Sequence, residues 1–105
     1  MSLPIMFVHN VYFWLKEDLS AADRRKFEEG LDLLLSIDSI EQSYRGVPAG
    51  TDRPVIDRTY SSGIVVVFRD QAAHDAYQAD PKHDRFRDEC AQYWRKVQIY
   101  DFVEG

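Results

Sequence analysis

The sequence predicts an α+β domain whose strands and helices follow the order β-α-β-β-α-β. Three observations predict this order. Segments 5–15 and 60–69 are rich in β-branched and aromatic residues, which is typical of strands. Between them, apolar residues recur at helical spacing. After the second of these strands, Asp70 and the pair Asp80-Pro81 each resemble a helix start.

The first half of the chain predicts a strand, a helix and a weaker strand. Residues 5–15 form the first strand, and alternation places six of them on one face: Ile5, Phe7, His9, Val11, Phe13 and Leu15. Ser20, followed three residues later by Asp23, is a good helix N-cap. The helix then carries one apolar stripe, which consists of Phe27, Leu31, Leu34 and Leu35. Residues 40–47 read as the weaker strand.

The second half begins with a polar loop, Thr51–Arg58, and the clearest strand, Tyr60–Arg69. Asp70 caps a short helix that contains Tyr77, and Asp80 caps the next helix with Pro81 in its first turn. Residues 97–103 form the closing strand. This order is that of a ferredoxin-like split βαβ unit, an antiparallel four-stranded sheet with its helices on one face.

Apolar residues on both faces of two strands predict a homodimer. The helices of such a unit cover one face of the sheet, so the other face would leave valine and aromatic side chains in water. A second copy packed sheet to sheet, with two-fold symmetry, removes that surface from water. In the opening strand, the predicted partner-facing residues are Met6, Val8, Asn10, Tyr12 and Trp14.

Length, charge and cysteine content restrict the possible partners. The 105 residues suffice for one domain, residues 1–105, and the net charge of −5 disfavours nucleic acid and anionic membranes. The longest apolar runs are far shorter than the roughly 20 residues of a membrane span. The single cysteine, Cys90, fits a reducing compartment, so we expect a cytoplasmic protein.

Two histidines and a tyrosine are the candidates for chemistry. His9 interrupts an apolar strand face, and His83 lies at the third position of the last helix, on the stripe with Phe86. Both should point between sheet and helices, where a buried neutral imidazole can act as a base. Tyr77 could donate a hydrogen bond to a carbonyl or enolate oxygen.

Each candidate also has a purely structural interpretation. A lone inward histidine is more often a satisfied core residue than a catalyst, and Tyr77 alone is more often a packing aromatic. His74, next to Asp75, is predicted to lie at the surface, and Cys90 to fill apolar space. His9 and His83 without an inward carboxylate or a second cysteine make a poor zinc set, so we expect no metal and no cofactor.

The order of these residues resembles the stress-responsive dimeric α+β barrel (Dabb) domain family. The opening stretch 9–16 has an early histidine and ends in Phe-x-Leu-Lys, as in the family. Further matches follow in the family's order and spacing, namely Tyr60 to Phe68, Tyr77, Asp80-Pro81, His83, Phe86, Trp94 and Asp101-Phe102. The resemblance covers nearly the whole chain and implies protomers that pair through their sheets into a barrel.

The resemblance also implies a pocket between sheet and helices. In a plant polyketide cyclase of the family, which uses no cofactor, a histidine and a tyrosine spaced like His83 and Tyr77 serve as base and partner. This chain has Ser62 where that cyclase has another pocket histidine. The predicted ligand-binding residues are His9, Phe7, Val11 and Phe86.

Two functions follow from these observations. The first is a stress-responsive dimer that binds a small apolar, phenolic or β-dicarbonyl ligand. The alternative is a cofactor-independent cyclase, lyase or isomerase in which His83 moves the proton and Tyr77 positions the oxygen.

Overall fold

The computed structural model describes residues 5–105. The elements in chain order are β1 (Phe7–Leu15), α1 (Ala21–Leu34), β2 (Gln42–Gly46), β3 (Ser62–Phe68), α2 (Gln71–Ala79), α3 (Pro81–Cys90), a 3-10 turn (Ala91–Tyr93) and β4 (Trp94–Val103). None of the helices within residues 5–105 is both long and apolar enough to cross a bilayer.

The four strands form one sheet in the order β2-β3-β1-β4, and every neighbouring pair is antiparallel. The predicted ferredoxin-like class is therefore confirmed. Strand β1 is central, and His9 lies directly opposite Val66 of β3 and Asp101 of β4. Side chains directly opposite one another share a face, so this register places His9 and Asp101 side by side.

The helices begin where the capping residues predict. Ser20, Asp70 and Asp80 each accept a hydrogen bond from a backbone N–H in the first turn, at 3.0, 2.9 and 2.8 Å. These caps satisfy amide groups that a helix start leaves unpaired. Pro81 occupies the first position of α3, where the missing N–H costs nothing.

The element ends differ from the predictions by a few residues. The closing strand begins at Trp94 rather than residue 97, because a 3-10 turn ends α3 at Cys90 and Trp94 pairs with Leu15 beside a bulge. Strand β1 begins at Phe7 rather than residue 5, and α1 ends at Leu34. Local composition specifies such ends weakly, since strand pairing decides them.

The core lies between the sheet and the helices. Phe27, Leu31 and Val66 are fully buried, and Phe13 contacts Phe27 and Phe86 edge to face. Gly30 allows α1 to approach α3 closely, because a β-carbon there would collide with the Cys90 sulfur. Cys90 is buried as the apolar filler predicted, and burial raises the pKa of its thiol to about 11.

The opposite face of the sheet is not covered by helices. Tyr44, Tyr100 and Phe102 are 56, 61 and 58 % exposed there. Trp14 is an exception to the predicted partner-facing set, since it is buried and its indole N–H donates to Thr59 Oγ1 at 2.9 Å. The loop before β3 thus already covers one end of this face.

Candidate functional site

A cavity of about 260 Å³ lies between the sheet and the helices, at the β4 side of the core. Its walls are largely apolar, and β4 contributes Val97 and Ile99, which are 39 and 45 % exposed. The helices do not cover this edge strand, so the cavity opens there. The polar side chains His9, Tyr77 and His83 all line it.

Tyr77 and His83 meet because α2 and α3 are separated only by the capping residue Asp80. Their ring centroids lie 5.0 Å apart in an edge-to-face arrangement. Tyr77 is almost completely buried, and the Nδ1 atom of His83 is buried without a hydrogen-bond partner among residues 5–105. An unpaired buried polar atom costs about 1–3 kcal/mol.

His9 reaches the same cavity from β1. Its ring centroid lies 5.6 Å from that of Tyr77, and its Nδ1 is 2.5 Å from Asp101 Oδ1. A carboxylate can only accept a hydrogen bond, so a neutral imidazole fits this contact with its proton on Nδ1. This bond fixes the ring orientation and leaves Nε2 as the acceptor nitrogen.

Burial keeps the polar groups of the cavity neutral. It lowers the pKa of His9, an effect that Asp101 partly offsets, and it lowers the pKa of His83, with Arg87 adding to the shift. Burial, reinforced by Asp101, raises the pKa of Tyr77 well above its usual value. Near neutral pH the cavity therefore holds two imidazoles that can accept a proton and one phenol that can donate a hydrogen bond.

Most of the predicted site residues converge on this cavity. His9, Val11, Tyr77, His83 and Phe86 line it. Phe7, a predicted ligand-binding residue, and Ser62, which stands where the plant cyclase of the family has a pocket histidine, lie outside the cavity. Phe7 packs against Phe68 and His74 rather than lining the cavity, and Ser62 is buried opposite Phe13 outside the lining.

The predicted surface position of His74 is wrong. Its side chain is only 14 % exposed, and its ring stacks on Phe7 at 4.2 Å between centroids and lies 5.3 Å from the ring of His9. The sequence did indicate this inward position through spacing. Residues three apart share a helix face, and His74 precedes the inward Tyr77 by three residues. His74, Asp101 and His9 thus form a group of three side chains that could each offer an atom to a metal ion.

A wider groove of about 490 Å³ lies between α1 and α3. Charged side chains dominate its rim, including Lys26, Glu29, Arg85 and Asp88. Cys90 lines it, but burial raises the pKa of its thiol, so little nucleophilic thiolate forms near neutral pH. The smaller cavity with its neutral imidazoles is the better candidate site, despite its size.

The fold and the cavity define a ferredoxin-like α+β domain with a histidine-lined pocket under its helices. The profile of the Stress responsive A/B Barrel Domain family (Dabb) matches residues 7–104, and the chain belongs to this family. No curated protein matches the sequence significantly.

Solved structures share the fold of this chain. A Dabb family protein with a ferredoxin-like fold from Mesorhizobium loti is 27% identical, with 96% of this chain and 98% of that chain covered and a TM-score of 0.77. A dimeric ferredoxin-like protein of unknown function from Thermobifida fusca is 16% identical, with 96% and 92% covered and a TM-score of 0.77. A hydroxynitrile lyase from Passiflora edulis is 16% identical, with 97% and 95% covered and a TM-score of 0.78.

Proposed function

We propose that this protein binds a small, mostly apolar molecule carrying a phenol or carbonyl oxygen in the cavity between its sheet and helices. The main observation in support of this proposal is that three polar side chains meet in one cavity. His9, Tyr77 and His83 come from three different elements and line one otherwise apolar cavity. A few polar groups in an apolar hollow are typical of small-molecule sites.

The size and chemistry of the cavity restrict the ligand. Its volume of about 260 Å³ is below the roughly 300–1,000 Å³ of pockets for drug-sized molecules, so a single ring or a short dicarbonyl is the appropriate size. Burying the apolar part stabilises the complex by about 25 cal/mol per Å². The phenol of Tyr77 can then donate a hydrogen bond to a carbonyl or phenol oxygen, and an acceptor nitrogen of a histidine can accept one from a phenol O–H.

Calorimetric titration with resorcinol and with acetylacetone tests this binding. We expect binding by the native chain and none by Ile99→Trp, since the larger side chain fills the cavity mouth. Val103→Trp is the matched control, because Val103 lies on the same face of β4 but does not line the cavity. Equal binding by both tryptophan variants would place the ligand elsewhere.

A second candidate function is proton transfer. It is favoured by the buried Nδ1 of His83, which lies beside Tyr77 and has no hydrogen-bond partner among residues 5–105. In that reaction a neutral His83 takes the proton from a carbon next to a carbonyl group. The electron pair of the broken C–H bond moves to the carbonyl oxygen, and the resulting enolate accepts a hydrogen bond from Tyr77. No cofactor enters this step. The Passiflora edulis lyase supports the idea that this fold can carry an enzyme.

Exchange of the acidic C–H of ethyl acetoacetate with deuterated water, followed by NMR, tests the transfer. We expect the protein to accelerate exchange, His83→Gln to lose about 10²-fold or more of that acceleration, and Tyr77→Phe to lose a comparable factor. Calorimetry with the same variants separates binding from chemistry. Undiminished acceleration by His83→Gln would remove this residue as the base.

We further propose that two copies associate through the uncovered face of the sheet. The exposed aromatic side chains Tyr44, Tyr100 and Phe102 support this arrangement, because isolated monomers rarely leave such a patch in water. The related protein from Thermobifida fusca is described as dimeric. Light scattering should give about twice 12.3 kDa.

A further inference from the structure

A cluster of three metal-ligating side chains lies beside the cavity. His9 comes from β1, Asp101 faces it on β4, and His74 comes from α2 above the sheet. Each offers one donor atom, and the three atoms all lie within 4.8 Å of one another. Neither the binding of a phenol or carbonyl compound nor the proton transfer uses His74.

Packing holds His74 toward the other two residues. Its ring stacks on Phe7 with the planes only 23° apart, and the Asp75 carboxylate lies 3.1 Å from its Nδ1. A carboxylate on one ring nitrogen orients a histidine and makes its other nitrogen a better ligand, as is common around bound metals. The members also differ in exposure, since the His9 side chain is 3 % exposed and that of Asp101 is 37 % exposed.

We propose that His9, His74 and Asp101 bind a divalent transition-metal ion, with zinc the best fit. Two imidazole nitrogens and one carboxylate oxygen are a common protein ligand set for zinc, with water in the fourth position. The nitrogen donors disfavour magnesium and calcium, which prefer oxygen ligands. This site lies next to the proposed small-molecule cavity but does not depend on a ligand there.

Binding requires the three donor atoms, which lie within 4.8 Å of one another, to adjust to the spacing of a zinc site. Tetrahedral zinc with bonds of about 2.0–2.1 Å separates its donor atoms by about 3.3 Å, whereas His9 Nδ1 and Asp101 Oδ1 are 2.5 Å apart. The ion takes the place of the proton between them. That proton moves to Nε2 of the same ring, so the imidazole stays neutral, no redox change occurs and the partly exposed carboxylate rotates outward.

Calorimetric titration of the untagged chain with zinc chloride tests the site, with magnesium chloride as the comparison. We expect one zinc ion per chain and no magnesium binding. His74→Phe keeps an aromatic ring to stack on Phe7 but removes the donor, and it should weaken zinc binding by more than about 100-fold, beyond the usual effect of residues that only support ligands. Asp101→Asn should weaken it similarly.

His83→Gln is the control, because His83 is not a member of the cluster. It should bind zinc like the native chain while losing proton transfer, so the two proposals can fail separately. Nitrogen NMR of His9 should show the ring proton moving from Nδ1 to Nε2 when zinc is added. Absence of zinc binding, equal affinity of His74→Phe and the native chain, or equal binding of magnesium would overturn the proposal.

Discussion

The two faces of the sheet are built from the same strands but have different surroundings. On the face toward the helices, His9, Val66 and Phe13 are buried, and the space beside them forms the cavity. On the other face, Val65 is only partly buried and Tyr100 is 61 % exposed. Alternation along each strand thus separates a buried interior from an apolar surface available for association.

The two faces differ in how closely their polar and aromatic side chains are held by neighbouring residues. On the helix side, two histidines in apolar surroundings are held by specific neighbours, His9 by Asp101 and His74 by Phe7. On the uncovered face, the aromatic residues form a surface with few such constraints, although Tyr12 contacts Tyr60 and Tyr100. We therefore propose chemistry for the helix side of the sheet and association for the uncovered face.

Adding a charge to the buried face should have the largest effect. Val66 is fully buried opposite His9, so Val66→Lys places an ammonium group in the core without a partner. We expect a loss of about 3–5 kcal/mol in the free energy of unfolding, a large part of a typical total. Urea denaturation followed by circular dichroism measures it, and a native-like midpoint would contradict the described packing.

The same change one residue earlier should leave the fold intact. Val65 points to the uncovered face, opposite Asn10 and Tyr44. Val65→Lys should therefore reduce the mass measured by light scattering from about twice 12.3 kDa to 12.3 kDa, with the circular dichroism spectrum unchanged. A folded dimer in this variant would show that the uncovered face is not the interface.

A smaller effect is expected where α1 and α3 touch. Gly30→Ala places a β-carbon against the Cys90 sulfur, and such overpacking costs about 1–3 kcal/mol. In a Cys90→Ala background the cost should fall by at least about 1 kcal/mol, because the colliding atom is gone. Chemical denaturation of the two single variants and the double variant measures this coupling. Additive effects would contradict a direct contact.

The histidines of the cavity predict a modest pH dependence of stability. Burial lowers the pKa of His9 and His83 in the folded chain, whereas the unfolded value is about 6.5. Below that pH the unfolded chain binds protons that the folded chain does not, so stability is highest above it and decreases as the pH falls. Denaturation at pH 7.5 and 5.5 measures the decrease, and His83→Gln should reduce it. Greater stability at pH 5.5 would contradict the neutral cavity.

Much of the fold could be predicted because its signals are local. Ser20, Asp70 and Asp80 each identify a helix start through the chemistry of one side chain, and the strand around Val66 is evident from composition. The approach of Tyr77 to His83 also follows from a short spacing across one cap. The start of β4 was less accurate, because pairing between distant strands determines it.

One of the two residues beside His9 that sequence reasoning missed depends on long-range pairing. Asp101 joins His9 only through the register between β1 and β4, which composition does not specify. His74 could have been assigned to the inner face from its spacing to Tyr77, but its neighbour Asp75 gives the segment the appearance of a solvated surface. Phe7 was placed in the cavity because it shares a strand face with His9, whereas its ring packs against His74 instead.

Mapping of a bound phenol by NMR tests the central claim most directly. On titration of the native chain with resorcinol, we predict the largest chemical-shift changes at the rings of Tyr77 and His83 and at Ile99, with nuclear Overhauser contacts from resorcinol to the same side chains. Changes confined to Tyr12, Tyr60 and Tyr100 on the uncovered face, or none at saturating concentrations, would contradict a ligand site under the helices.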